Sequence, residues 1–198
     1  MEITKEILEK SKVINEGTTC YIMQYGTTTY KVYKGTIKYI NGTGEYGLEE
    51  KEVSNRLNYI VSKKKDVVLT DLPTDVMIYD EKPVGVVIKY YNNSVTLKDY
   101  LLENGTEEIT NMMRQQVLNI VEELIKNGII PTDPHLDNFL VCYKEDGSFE
   151  LKMVDTDDQY ISIYPDNKRD IWYDSEVSAC YRVIDLAFED LKNKKSMI

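Results

Sequence analysis

Residues that commonly carry catalysis or cross-links are scarce in this chain. It has one histidine, three cysteines and five prolines among 198 residues. Cys20, Cys142 and Cys180 are odd in number and widely spaced, with no C-x-x-C pair, which excludes a disulfide framework and a cysteine-based zinc site. They suit reduced thiols in a cytosol, and Cys142 and Cys180 sit in apolar patterns that read as buried structural thiols. Positive charge is in deficit: 24 Lys and Arg against 34 Asp and Glu leave a net charge of −10. That argues against a nucleic-acid partner, which would need a basic surface. The short runs Lys63–Lys64–Lys65 and Lys192–Lys194–Lys195 read as solvated helix ends or loops. No apolar run approaches the ~18 residues that span a bilayer, and the opening MEITKEILEK is charged and amphipathic rather than a signal peptide. The expectation is a protein of a cytosol, or one delivered into a host cytosol as an effector, with neither nucleic acid nor membrane as partner.

What is present is ordinary in bulk. Hydrophobic residues make up 42% and charged residues 29%, so the chain can bury a real core as one domain, or as one domain of two small lobes. The first half reads as strands with one helix. Residues 12–24, 28–34 and 36–40 are rich in Thr, Tyr, Val and Ile and are punctuated by Gly17, Gly26 and Gly35. Val53, Leu57, Ile60 and Val61 fall at helical spacing within 47–62. Two further strands, 75–80 and 84–91, are joined by a tight E-K-P. The second half is mainly helical: 94–105, then 107–126, whose methionines read as core filling, with Gly128 after it, and finally 174–192. Between the last two lie F-L-V-C-Y and F-E-L-K-M-V, with Asp146–Gly147 marking a hairpin.

The polar stretch I-I-P-T-D-P-H-L-D-N-F-L-V, 129–141, separates the long helix from that hairpin. It carries Asp133 and, five positions on, Asn138; the hairpin's second strand then delivers Asp155. Oxygen ligands from two neighbouring segments suit Mg²⁺, which takes few protein ligands and keeps water and phosphate oxygens. A further carboxylate nearby can orient or deprotonate an attacking hydroxyl.

This order and spacing resembles the protein-kinase-like superfamily, whose catalytic loop H-R-D-L-x-x-x-N is followed by a hairpin and D-F-G. P-T-D-P-H-L-D-N stands in for the first motif and M-V-D-T-D for the second. The family also needs a strand lysine holding the α- and β-phosphates and a helix glutamate paired with it. T-T-Y-K-V-Y-K places Lys31 on a strand, with Lys34 as the competing choice. L-E-E-K-E-V places Glu52 on the helix, with Glu49 and Glu50 as competitors. I-N-E-G-T-T-C, with Gly17 and Thr18, lies where the glycine-rich loop would lie. V-G-V-V-I-K-Y-Y lies where the fifth strand meets the hinge, with Ile88 as gatekeeper and the backbone of Lys89, Tyr90 and Tyr91 meeting adenine. The likeness covers about 12 to 160.

The resemblance implies an α+β, two-lobed fold. A small antiparallel sheet with one helix would form an N-lobe over about 1–91, followed by a hinge at about 89–93 and a reduced, mainly helical C-lobe over about 94–198. It implies ATP and Mg²⁺ as cofactors. Lys31, oriented by Glu52, would hold phosphates, Asn138 and Asp155 would hold the metal, and Asp133 would position the acceptor hydroxyl. There are departures. Pro131 replaces the loop histidine, and His135 stands where many protein kinases place a phosphate-binding lysine, leaving phosphate-facing and structural roles open for it. Only Gly17 remains of the glycine loop, and D-F-G has become Asp155–Thr156–Asp157, where Asp157 either adds a carboxylate near the metal or caps the next turn. No A-P-E segment follows, which implies a trimmed C-lobe. The implied activity is a minimal kinase acting on a protein Ser or Thr, with a possible activating protein partner. The alternatives are a pseudokinase acting as a nucleotide-binding module, and a small-molecule kinase of the aminoglycoside or choline kinase type. The last would use an acidic pocket built from Asp157, Asp158, Asp166, Asp170 and Asp174.

Overall fold

The computed structural model describes residues 1–157, 161–165 and 170–195. Asp158 and Asp166 lie outside the described residues. The architecture is α+β with mainly antiparallel sheets. By contact density the chain divides into two compact units, Met1–Lys64 with Leu72–Tyr90 and Lys65–Asp71 with Tyr91–Ile198. Among the described residues no helix is long and apolar enough to cross a membrane.

The first unit is a five-stranded antiparallel sheet with three helices. A short helix α1 (Lys5–Lys10) precedes β1 (Lys12–Glu16), β2 (Cys20–Tyr25) and β3 (Thr28–Tyr33). Helices α2 (Ile37–Ile40) and α3 (Glu50–Ser62) follow, then β4 (Asp75–Tyr79) and β5 (Lys82–Ile88). The sheet order is β1-β2-β3-β5-β4. Strand β3 is therefore interior, and its side chains alternate between the two faces. Tyr30 and Val32 pack with Ile3, Leu8, Met77 and Val84, while Val76 and Val86 on the other face pack against Val53 and Leu57 of α3.

Two expectations fail locally, for identifiable reasons. Residues 36–40 form no strand: a 3-10 turn over Lys34–Thr36 leads into α2. Both edges of β3 are already taken by β2 and β5, and the Thr36 hydroxyl donates to the Tyr33 carbonyl at 2.7 Å, a bond that competes with a ladder. The turn between β4 and β5 is Asp80–Glu81 rather than E-K-P, and Tyr79 pairs with Lys82. Both turn residues have positive φ, 48° and 64°, as a two-residue hairpin of the primed type requires. Pro83 is accommodated inside β5 beside an irregularity in the β4 register.

The second unit is mainly helical. Strand β6 (Ser94–Thr96) leads into α4 (Leu97–Asn104) and α5 (Glu107–Lys126). Then come β7 (Ile129–Pro131), a 3-10 turn over Leu136–Asn138, β8 (Phe139–Tyr143), β9 (Phe149–Met153), β10 (Ile161–Ile163) and α6 (Tyr173–Lys195). The first residues of the expected helix over 94–105 instead join a three-stranded sheet, β6-β8-β9. Thr96 then caps α4, its hydroxyl accepting from the Asp99 amide at 3.1 Å. Thr106 caps α5 in the same way. Met113, Val117, Ile120, Val121 and Leu124 of α5 are buried, but Met112 is exposed, because one residue turns a helix by about 100° away from the buried stripe. The entry to the 129–141 stretch is also a strand, since β7 pairs with β10.

Segment Lys65–Asp71 is fastened by polar contacts within this second unit. The Glu123 carboxylate accepts from the amides of Val68 and Leu69 at 3.1 and 2.7 Å. The Thr70 hydroxyl donates to the Met153 carbonyl and accepts from its amide, both at 2.9 Å. Asp71 accepts from the Tyr91 hydroxyl at 2.5 Å and lies 3.8 Å from the Lys152 ammonium.

Candidate active site

In the first unit the residue that stands out is Lys31. In register it lies between Ile22 and Val86, so its side chain shares the face that Val86 presents to α3. It is 2% exposed. Burying an ammonium is unfavourable unless the charge is paired or hydrogen-bonded, so Lys31 is not an ordinary solvated strand lysine. Lys34 is a surface residue, 2.6 Å from Glu16 and stacked over Tyr21, and the Glu16 hydrogen bond is the main cause of its raised pKa.

The structure does not bring Glu52 to Lys31. The Glu52 side chain is 72% exposed and its carboxylate lies 3.7 Å from Arg56. The reason is helical phase: Val53, Leu57 and Ile60 claim the inward stripe of α3, which leaves the residue before Val53 turned outward. The competing Glu50 instead lies 3.8 Å from Lys82, and Glu49 is an exposed N-cap residue. Arg56 is largely buried, with its Nε lacking a hydrogen-bond partner.

Gly17 and Thr18 lie in the exposed connection between β1 and β2, which is closed by a hydrogen bond from the Gly17 amide to the Cys20 carbonyl at 2.9 Å. Ile88 ends β5, half-buried against the α3 cluster. Lys89 and Tyr90 are exposed. Tyr91 belongs to the second unit, where its hydroxyl is committed to Asp71, and burial followed by that bond raises its pKa.

In the second unit the structure brings together Asp133, His135, Asn138 and the start of the 153–157 turn. The Asp133 carbonyl accepts from the His135 amide at 2.9 Å and from the Asn138 side-chain amide at 3.0 Å. The loop is thereby closed on itself by the asparagine five positions on. Phe139 pairs with Met153, and the Val154 amide donates to the Asn138 carbonyl at 2.8 Å. Asn138 and Asp155 consequently leave the hairpin at the same end. Asp155 has φ of +59°, a left-handed conformation that a non-glycine residue holds at a penalty of roughly 1–2 kcal/mol. Such residues persist where surrounding structure fixes them and are concentrated at functional sites.

His135 sits between two carboxylates, with Nε2 3.9 Å from Asp133 and Nδ1 3.9 Å from Asp137. Its Nδ1 is buried without a hydrogen-bond partner. Asp137 is also held by the Lys98 ammonium, at 3.0 and 3.3 Å. Sequence reasoning missed both Asp137 and Lys98. Asp137, two positions after the histidine, was within reach of a loop argument, but the approach of Lys98 comes from the packing of α4 on the 3-10 turn.

Asp157 is 2% exposed. Asp170 and Asp174 are exposed around the start of α6, where the Asp170 carboxylate accepts from the Trp172 amide at 2.8 Å. Among the described residues no three His, Cys, Asp or Glu side chains are grouped so as to hold a metal. An amide oxygen such as that of Asn138 and a carboxylate such as that of Asp155 are of the ligand types a hard cation takes, with water and phosphate oxygens completing its shell. No protein-family model matches this chain, and no curated protein matches its sequence.

Proposed function

We propose that this chain is a kinase-like phosphotransferase of two lobes that uses ATP and Mg²⁺. The observation that carries the reading is the loop in which Asn138 closes on the Asp133 carbonyl at 3.0 Å, next to a left-handed Asp155 at the end of the paired strand. The burial of Lys31 on the α3 face of an interior strand supports it independently.

On this reading the first unit supplies groups for binding ATP and the second supplies groups for the metal and for transfer. Lys31 binds the α- and β-phosphates, and the β1–β2 connection with Gly17 and Thr18 covers them. Ile88 and the backbone from Lys89 to Tyr91 receive the adenine. Asn138 and Asp155 hold the Mg²⁺, and His135 faces the phosphates from the catalytic loop. Bound ATP and Mg²⁺ supply the γ-phosphoryl group and most of the charge neutralisation. Asp133 orients the acceptor hydroxyl and takes its proton as the hydroxyl oxygen bonds to phosphorus and ADP departs. Positioning and electrostatics are sufficient for this chemistry. A serine or threonine of a protein is the acceptor.

One observation favours a second reading, a nucleotide-binding module with little or no transfer. The Glu52 carboxylate is exposed beside Arg56, whereas an active kinase needs the strand lysine and helix glutamate paired. An activating partner that rotates α3 would reconcile the two.

The test uses ATP and Mg²⁺ with the wild-type chain and with Asp133→Ala and Asp155→Ala. A phosphotransferase shows an ATP-dependent rise in melting temperature that Asp155→Ala loses, and phosphate transfer that both variants lose. Stabilisation without transfer supports the second reading. No ATP-dependent shift in the wild type refutes both.

A further inference from the structure

Beside the β4–β5 hairpin of the first unit, three half-buried tyrosines meet one lysine. The ring of Tyr39, in α2, stands edge-to-face with those of Tyr46 and Tyr79, at centroid distances of 5.6 and 6.0 Å and interplanar angles of 83° and 88°. The Lys82 ammonium lies over two of these rings, 5.0 Å from the centroid of Tyr39 and 5.2 Å from that of Tyr46. Tyr79 is directly opposite Lys82 in the hairpin register, so both side chains leave the same face of the sheet. Glu50, the first residue of α3, brings a carboxylate oxygen to 3.8 Å from the ammonium. The rings are fixed from behind, since Tyr46 and Tyr79 pack against the core cluster around Tyr30 and Val32. The Tyr39 hydroxyl donates to the Asp80 carboxylate at 2.8 Å, and the Tyr46 hydroxyl donates to the Pro83 carbonyl.

Two features of this corner fit a methylated ammonium better than the lysine that fills it. The first is the kind of contact. A lysine ammonium has three N–H donors, yet the corner meets it with ring faces and with a carboxylate oxygen at 3.8 Å, outside hydrogen-bond reach. A quaternary ammonium keeps the charge and has no donor to leave to water. The second feature is distance. A carbon–nitrogen bond of about 1.5 Å followed by a carbon–carbon contact of about 3.5–4.0 Å places a methylated nitrogen roughly 5.0–5.5 Å from a ring. Both ammonium-to-ring distances fall in that interval. Aromatic faces around a cation are how quaternary ammonium ligands are recognised. Lys82 can also leave: its side chain is 34% exposed, and its pairing with the half-exposed Glu50 is of the surface kind that holds weakly. We propose that Tyr39, Tyr46, Tyr79 and Glu50 form a binding site for a methylated ammonium group, with Lys82 as its displaceable resident. None of these residues is assigned to nucleotide or metal, so the site holds whether or not the chain transfers phosphate.

The probe is tetramethylammonium, titrated against the full chain and followed through its methyl proton resonance, which ring faces shift upfield. Lys82→Ala empties the corner and is expected to bind the probe about tenfold more tightly than the wild type, because no resident cation competes. The uncharged tert-butanol, of similar shape, is expected to show no shift with either protein. In the Lys82→Ala background, Tyr39→Leu removes one ring face and weakens binding about fivefold, the scale of one cation–π contact, whereas Tyr39→Phe keeps it. Glu50→Gln, at an exposed position, weakens binding about threefold and serves where Tyr39→Leu folds poorly. A peptide carrying trimethyl-lysine separates the two sources of such a group, with its unmethylated form as the control. Tighter binding than tetramethylammonium supports the site with a modified protein as the source, and equal or weaker binding supports it with a small quaternary amine. No upfield shift with Lys82→Ala, an equal response to tert-butanol, or an affinity that neither Tyr39→Leu nor Glu50→Gln changes overturns the site.

Discussion

Gly85→Ala is the sharpest test of how the first unit holds Lys31. Gly85 sits in β5 directly opposite Val32 of β3. A Cβ at this position would stand 2.1 Å from the Lys31 carbonyl oxygen and 3.1 Å from both the Lys31 carbonyl carbon and the Val32 Cα. Ordinary contact begins near 3.4 Å, so β3 and β5 would have to part by more than an ångström. Neither can yield cheaply, because the obstructing atoms are backbone and β3 is paired on both edges. Overpacking costs about 1–3 kcal/mol, and weakening one or two ladder bonds adds about 0.5–1.5 kcal/mol each. A loss of about 3 kcal/mol corresponds to a fall of roughly 6–12 °C in melting temperature for a chain of this size. Urea titration followed by far-UV circular dichroism measures it. Gly147→Ala is the control: φ is +81° with nothing within 4 Å of the added Cβ, so only about 1 kcal/mol of stability is lost, to backbone strain. If Gly85→Ala is no more destabilising than Gly147→Ala, the close approach at Lys31 is not what the sheet depends on.

Three further outcomes are expected. Glu81→Gly relieves a residue held at φ of 64° in an exposed turn and raises stability by about 0.5–1 kcal/mol, read from the urea midpoint. The Asp80 hydrogen bond holds the Tyr39 phenol up at about 12, and burial holds Tyr46 at about 12. Both groups are raised above their ordinary value of 10.0, so their contribution is complete below that pH and is lost as pH climbs towards 12; phenolate absorbance should lag until the chain unfolds in alkali. Burial pushes the Cys180 thiol up to about 12, so native protein at pH 8 should resist iodoacetamide at Cys180, with mass spectrometry showing alkylation only after denaturation.

The β-hairpin around Asp146–Gly147, the long helix α5 and the interior strand bearing Lys31 were legible because each announces itself locally, through turn chemistry, a 3.6-residue period or β-branched residues. The loop with Asp133 and Asn138 was legible through spacing alone, and the structure adds the hydrogen bond that the spacing permits. The side chain of Glu52 was misjudged because the acidic residues before Val53 offer several candidates, and only the packed phase of α3 selects which of them faces out. Residues 36–40 differ for another reason: their β propensity is real, but both edges of the preceding strand β3 are taken and the Thr36 hydroxyl bonds the Tyr33 carbonyl, which turns the chain into a helix. Lys98 carries no sequence signal, since only the packing of α4 on the 3-10 turn brings it to Asp137.

The route of the backbone limits how this protein can be taken apart. Because Lys65–Asp71 belongs to the second unit while both of its flanks belong to the first, the two units are interleaved along the gene. A cut between Tyr90 and Tyr91 would leave a fragment with Thr70 deprived of Met153, and another with Glu123 deprived of the amides of Val68 and Leu69. Neither half can be shuffled by recombination as a self-sufficient cassette. Two fragments cut there would be expected to recover the native arrangement only when mixed.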